Sequence, residues 1–223
     1  MKDRYLSVLD SIQSTAIRFG RSPGAIGLLA VSKTRTNEEV RTLAQAGQLD
    51  FGENYVADAL PKIHALKSLG LTWHFVGTVQ SNKTNMIAQH FDWVHSIDRA
   101  RIAHRLNDAR SNEPLNVCVQ VNVDDEPQKS GVCLGDVADL VTNLQELPLL
   151  RLRGLMSIPR ARSNPEESRT AFSTLYQLFQ EVRPSESEHW DTLSMGMTND
   201  YEIAIEEGAT LVRLGTALFG PRA

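Results

Sequence analysis

Short apolar runs and amphipathic stretches alternate along nearly the whole chain. The runs are Leu28–Ser32 (LLAVS), Asp50–Gly52 (DFG), Trp73–Gly77 (WHFVG), Trp93–Ile97 (WVHSI), Val117–Val123 (VCVQVNV), Leu152–Ile158 (LRGLMSI), Thr192–Met195 (TLSM) and Thr210–Leu214 (TLVRL). Each has the length and composition of a strand. Between them, Asn37–Ala46, Tyr55–Leu69, Asn82–His90, Arg99–Ala109, Leu134–Gln145, Pro165–Val182 and Asp200–Glu207 can each present an apolar stripe at helical spacing, and a further amphipathic helix over Asp3–Gly20 precedes the first run. Strands that alternate with crossover helices predict an α/β fold with a parallel sheet. Eight such strands fit a closed (β/α)₈ TIM barrel with an extra N-terminal helix better than an open sheet. Asn164 and Pro165 read as the N-cap and first position of the seventh crossover helix.

No proline-rich or glycine/serine-rich linker interrupts this order, so residues 1–223 are expected to form a single domain. At 41% hydrophobic and 22% charged residues the chain can bury a full core. Its net charge is −4 and its 23 basic residues are scattered, which argues against a nucleic-acid or anionic-membrane partner. The N-terminus, MKDRYLSVLDSIQSTAIRFGRSP, never reaches the apolar run of a signal peptide, and a cytoplasmic location is expected. Cys118 and Cys133 lack metal-ligand spacing, and the histidines form no i, i+4 ligand pair with a carboxylate; neither a disulfide nor a metal is expected.

In a barrel of this kind the working residues stand at the carboxyl ends of the strands. Lys33 ends the apolar run LLAVSK, which aims its ammonium into the barrel mouth, where desolvation favours the neutral amine that a Schiff base requires. A lone lysine there also fits an ordinary surface residue; the polar character of the other strand ends shifts the balance. SMGMTND (Ser194–Asp200) and RLGTALFG (Arg213–Gly220) follow strands seven and eight, where barrels commonly hold a phosphate. Gly196 and Gly215 let backbone N–H groups approach it, and Ser194, Thr198 and Thr216 add hydroxyl donors. A phosphate opposite an amine describes pyridoxal 5′-phosphate (PLP). Alternation puts Arg213 on the same face as Gly215, and a guanidinium that can only donate would keep a pyridine nitrogen unprotonated, favouring retention of the cofactor over carbanion chemistry. His74 reads as a wall or hydrogen-bonding residue rather than a general base. The acidic turn Asp124–Glu126 reads as solvated.

Taken together, AVSKTR, DFGENYV, WHFVGTVQSNK, KSG, LRGLMSIP, LSMGMTND and VRLGTALFG resemble, in order and from about Leu28 to Gly220, the YggS/PROSC family of PLP-binding proteins, the PLP homeostasis proteins. That family resembles the N-terminal barrel of alanine racemase. The resemblance implies Lys33 as the lysine that holds the cofactor and Arg213 facing the ring nitrogen. It implies a phosphate cup around Ser194, Gly196, Met197, Gly215 and Thr216, with Asn54, His74 and Met156 lining the ring. Arg35-Thr36, Thr78-Val79 and Thr198-Asn199 depart from the family's usual pairs.

The leading expectation is a non-catalytic PLP binder that buffers or delivers the cofactor to PLP-dependent apoenzymes, acting as a monomer and influencing amino-acid and keto-acid balance. The alternative is an amino-acid racemase of weak activity, for which Tyr55 and Tyr201 lie near strand ends two and seven. A Schiff-base aldolase for a phosphorylated sugar is a third reading, disfavoured by Arg213.

Overall fold

A computed structural model describes residues 1–111, 113–160, 162, 164–185 and 188–221. Its strands are β1 (Gly27–Val31), β2 (Asp50–Glu53), β3 (Thr72–Phe75), β4 (Trp93–Ile97), β5 (Leu115–Val121), β6 (Leu150–Ser157), β7 (Thr192–Ser194) and β8 (Leu211–Leu214). Each pairs in parallel with the next, and β8 pairs back onto β1 through Leu28↔Val212 and Leu29↔Arg213. The barrel is closed, as the alternating pattern predicts.

The helices are α1 (Lys2–Arg18), α2 (Asn37–Gln45), α3 (Val56–Ala65), α4 (Thr84–His90), α5 (Ala100–Ala109), α6 (Val137–Gln145), α7 (Arg169–Glu181), α8 (Tyr201–Glu206) and α9 (Thr216–Phe219). The core lies between barrel and helices, where Val40, Leu43, Ile87, Ile102, Leu106, Phe172 and Leu175 are fully buried. A capping box starts α2: Thr36 Oγ1 accepts from Glu39 N (3.2 Å), and Glu39 Oε2 accepts from Thr36 N (2.8 Å). Asn164 does cap its segment, accepting from Glu166 N (3.1 Å), but the first turn, Pro165–Ser168, is 3₁₀ and α7 begins only at Arg169.

The N-terminal helix covers the closing seam. Its buried stripe, Tyr5, Val8, Ile12 and Ala16, has i, i+3, i+4 spacing. It packs against α8 and α9, and Ser11 Oγ lies 2.8 Å from Tyr201 Oη. Just beyond it, Arg21 Nη1 donates to the carbonyls of Ile205 (2.9 Å) and Ala209 (2.6 Å), which tethers the start of the chain to the end of α8.

Candidate functional site

The strand ends are held in place from beneath. The buried Lys62, reaching in from α3, donates through Nζ to Glu53 Oε1 (2.6 Å) and Ser32 O (2.7 Å), while Ser32 Oγ donates to the same carboxylate oxygen (2.6 Å). This knot locks the tips of β1 and β2 one residue before Lys33 and Asn54. Thr34, next after Lys33, has φ +65°, a left-handed conformation unusual for a residue with a branched side chain, so the chain turns sharply as soon as the lysine has left the barrel. Opposite them Gly196 has φ +90°, and a Cβ there would sit 2.6 Å from Ala204 Cβ; only glycine lets the strand-seven loop fold this closely over α8.

A cavity of about 330 Å³ opens at this end of the barrel, a size typical of small-molecule sites. Lys33, Asn54, Met197, Arg213, Gly215 and Thr216 line it, with Val31 and Val76 as apolar wall. Arg35 and Arg162 add positive charge, and Asp200 is the one acidic residue in its lining. Asp200 Oδ1 accepts from Met197 N (2.7 Å), which shapes the turn, and burial raises its carboxyl pKa. Arg35 is paired with Glu39 (3.2 Å) and Arg162 with Asp124 (2.6 Å), yet cations still outnumber carboxylates in the lining, a balance that favours an anion.

Arg213 forms the floor. Nη1 donates to Ser194 Oγ (2.8 Å) and Nη2 to Ser157 O (2.8 Å), so its guanidinium is held by neutral acceptors. Burial brings its pKa down to about 10, which leaves it charged at neutral pH. Below it the interior stays polar. Ser194 Oγ lies 3.0 Å from His95 Nδ1, His95 Nε2 lies 2.9 Å from His74 Nδ1, and His74 Nε2 lies 3.0 Å from Asp50 Oδ1.

Burial first, then the charges of His74 and Arg213, hold His95 well below the ordinary imidazole range. An unfolded imidazole takes a proton near pH ~6.5. Below that value the unfolded chain binds a proton that the folded chain refuses, so this contribution to stability is complete above about pH 6.5 and is lost as pH falls towards the folded value. Urea unfolding at about pH 7.5 and about pH 5.5 is expected to give the lower midpoint in acid, with His95→Gln narrowing the difference. An equal difference in the variant would place the acid sensitivity elsewhere.

Residues 21–223 match the family model described as alanine racemase, N-terminal domain. The pyridoxal phosphate homeostasis protein of Escherichia coli strain K12 is 48% identical over 220 residues, which cover 96% of this chain and 94% of that protein. The protein of the same name from Pseudomonas aeruginosa PAO1 is 50% identical over 222 residues, covering 99% and 95%. The chain belongs to the pyridoxal phosphate homeostasis protein family. Among solved structures, PipY of Synechococcus elongatus PCC7942 with PLP bound superposes with a TM-score of 0.81 at 34% identity, covering 94% of this chain and 100% of that one. Alanine racemase from Corynebacterium glutamicum, at 16% identity and a TM-score of 0.70, shares the fold over 96% of this chain and 62% of its own.

Within this family frame, six of the ten residues expected at the site, Lys33, Asn54, Met197, Arg213, Gly215 and Thr216, meet in one cavity. Ser194 stands one step below, bonded to Arg213, and Gly196 supplies the carbonyl that accepts from Arg213 N (3.0 Å). Met156, in register with Ser194, is fully buried beneath the cavity rather than lining it. His74 also departs from expectation. Its ring points into the barrel interior, stacked on Trp93 and bonded to His95 and Asp50, and it does not line the cavity. It sits mid-strand in β3, below the strand end where the mouth begins.

The acidic turn is likewise not simply solvated. Asp124 accepts from Arg162 Nη2 (2.6 Å) and Arg160 N (2.6 Å), which draws the loop after β6 over the cavity. Sequence reasoning missed His95, Arg162 and Asp200. A signal for His95 was present, since alternation along Trp93, His95 and Ile97 puts it on one face of β4. Arg162 lies in an irregular loop and Asp200 in a turn, where no periodicity operates.

Proposed function

We propose that this protein binds PLP in the cavity at the carboxyl ends of its strands and handles the cofactor for other proteins rather than using it for turnover. The observation that carries this reading is the convergence of Lys33, Arg213 and Gly215, from the first and last strands, on one cationic cavity. The residues fit the group. Asn54 Oδ1 and Arg162 Nη1 are buried there without a hydrogen-bond partner among the described residues, as expected of groups that meet a polar ligand. Lys33 supplies the amine, Arg213 an N–H for the ring nitrogen, Gly196, Met197, Gly215 and Thr216 the phosphate side, and Asn54 a contact to the ring; Ser194, expected at the phosphate, and Met156, expected at the ring, act from beneath the cavity. His74 acts beneath Arg213 rather than against the ring. PLP supplies an aldehyde able to condense with amines. The relatives named for PLP homeostasis, and PipY solved with PLP, support the same assignment.

A donor-only residue at the ring nitrogen keeps that nitrogen unprotonated and weakens the ring as an electron sink, which is in keeping with a storage role. The tyrosines needed by a racemase are also misplaced. Tyr201 Oη is engaged with Ser11 of α1, and Tyr55 is 65% exposed and absent from the cavity lining. We take the barrel to be the whole functional domain, working as a cytoplasmic monomer that passes PLP to apoenzymes. No helix among the described residues is long and apolar enough to cross a membrane. The test is direct. Protein mixed with PLP is expected to develop a visible absorption band that borohydride removes, while alanine and serine show no racemisation. Turnover near the enzyme median of about 10 per second would overturn the storage role.

A further inference from the structure

The interior groups beneath Arg213 form one continuous chain, Arg213–Ser194–His95–His74–Asp50, whose steps measure 2.8, 3.0, 2.9 and 3.0 Å. Its two ends have fixed hydrogen-bonding roles. A guanidinium only donates and a carboxylate only accepts, while a neutral imidazole does one of each. Starting from Asp50, His74 must carry its proton on Nε2, so its Nδ1 accepts. His95 therefore carries its proton on Nε2 as well, and its Nδ1 accepts from the Ser194 hydroxyl. Ser194 is left with lone pairs for Arg213. The Arg213 end is compatible with this order, because one lone pair of Ser194 accepts from Arg213 while its hydroxyl proton goes to His95; the direction itself is set from the Asp50 end.

The surroundings leave this order intact. His74, His95 and Ser194 are 2%, 0% and 0% exposed. Burial keeps both imidazoles neutral, lowering each below its ordinary pKa. Among nearby charges, Asp92 accepts from Trp73 N (2.8 Å) and Arg153 pairs with Asp191 (2.6 Å) while lying over the Trp93 ring. His74 stacks on the other partner of that arginine, Trp93, at 5.2 Å between centroids.

We infer that Asp50, His74, His95 and Ser194 are positioning residues for the cofactor site, a proton-ordered relay that fixes the Arg213 guanidinium from the opposite rim of the barrel. Asp50 stands at the first residue of β2, at the amino-terminal end, with its side chain 44% exposed. The carboxylate sets the hydrogen-bond order through two neutral rings, while the carboxylate whose charge acts on Arg213 is Asp200, and the guanidinium keeps its free edge towards the cavity. This role rests on the proposed contact between Arg213 and the ring nitrogen.

The relay is tested on the full-length protein, first without and then with PLP. Long-range ¹H–¹⁵N correlation of histidine-labelled protein is expected to show His74 and His95 protonated at Nε2 and unprotonated at Nδ1. A proton on Nδ1 of either ring near neutral pH overturns the relay. Asp50→Leu, which removes the terminal acceptor, is expected to weaken PLP binding by about tenfold, the equivalent of about 1.4 kcal/mol, and to move the absorption maximum of the bound cofactor. Asp50→Asn, which retains an accepting oxygen, is expected to stay within about twofold of the unmodified protein. An unchanged affinity and spectrum in Asp50→Leu overturns the relay even if PLP binds normally. Failure of the unmodified protein to bind PLP overturns the proposed function itself, and the relay's role towards the cofactor with it.

Discussion

Protein carrying Lys33→Ala is expected to show no borohydride-reducible PLP adduct, while its circular dichroism and unfolding midpoint stay close to those of the unmodified chain. The lysine is half-buried at the barrel mouth, outside the cluster of apolar residues that forms the core, so truncating it removes an amine without opening a void. Mass spectrometry of the reduced, digested protein locates the adduct. A tag on Lys83 or Lys129 would show that a different amine captures the aldehyde. Lys62 is a poor competitor, since its ammonium is buried and committed to Glu53 and Ser32. Lys33→Ala is also expected to retain weak, non-covalent PLP binding, because the groups on β7 and β8 are untouched.

The second large effect is expected at Gly215. A Cβ built there lies 3.3 Å from Val31 O, so even the first added carbon is crowded against the end of β1, and both residues line the cavity. Since Gly215 lines the cavity, the ring of Gly215→Trp is expected to enter the space proposed for the phosphate. Equilibrium dialysis is expected to find no PLP binding in a protein that still folds. Pyridoxal, which lacks the phosphate, is expected to bind the unmodified protein more weakly by on the order of a hundredfold, since two lost charge-assisted bonds are worth about 1.5 kcal/mol or more each. Equal affinity for the two compounds would remove the phosphate cup from the site. In cells lacking the protein, a Gly215→Trp copy that nevertheless restored free vitamin B6 and amino-acid pools would place the function elsewhere on the surface.

The barrel was legible because its strands are short, apolar and evenly spaced by amphipathic segments, a pattern that local physics enforces. Every expected run became a strand. The ends were less legible because tertiary contacts set them. β3 stops at Phe75 because Gly77 turns across the end of β2, where a Cβ would come 2.1 Å from Asn54 O, and no sequence rule reports that approach. The expected helix over Tyr55–Leu69 divides at Leu66, with Lys67–Leu69 wound as a separate 3₁₀ turn. Beyond the strand run that ends at Leu214, the pattern assigns the rest of RLGTALFG to phosphate binding alone, yet Thr216–Phe219 is the short helix α9, too brief to show a helical period.

The cavity followed from strand ends and glycines, which are local features. The polar interior did not. Alternation can place His74 and His95 on a face of their own strands, but their partners are defined only when β3 and β4 lie side by side with β7 across the barrel. Even the pairing of Asp124 with Arg162 requires two loops separated by all of α6 and β6 to meet.

The seam between β1 and β8 adds a temporal consequence. Of the residues that line the cavity, Val31 and Lys33 leave the ribosome first and Arg213, Gly215 and Thr216 last, and the β1–β8 pairing brings them together. A nascent chain therefore has no complete pocket until β8 and the turn after it have emerged and the ring has shut. PLP held in this cavity, as proposed, would span the first and last staves, so that its binding energy would oppose their separation and vitamin supply would become a term in how firmly the newly made barrel stays closed.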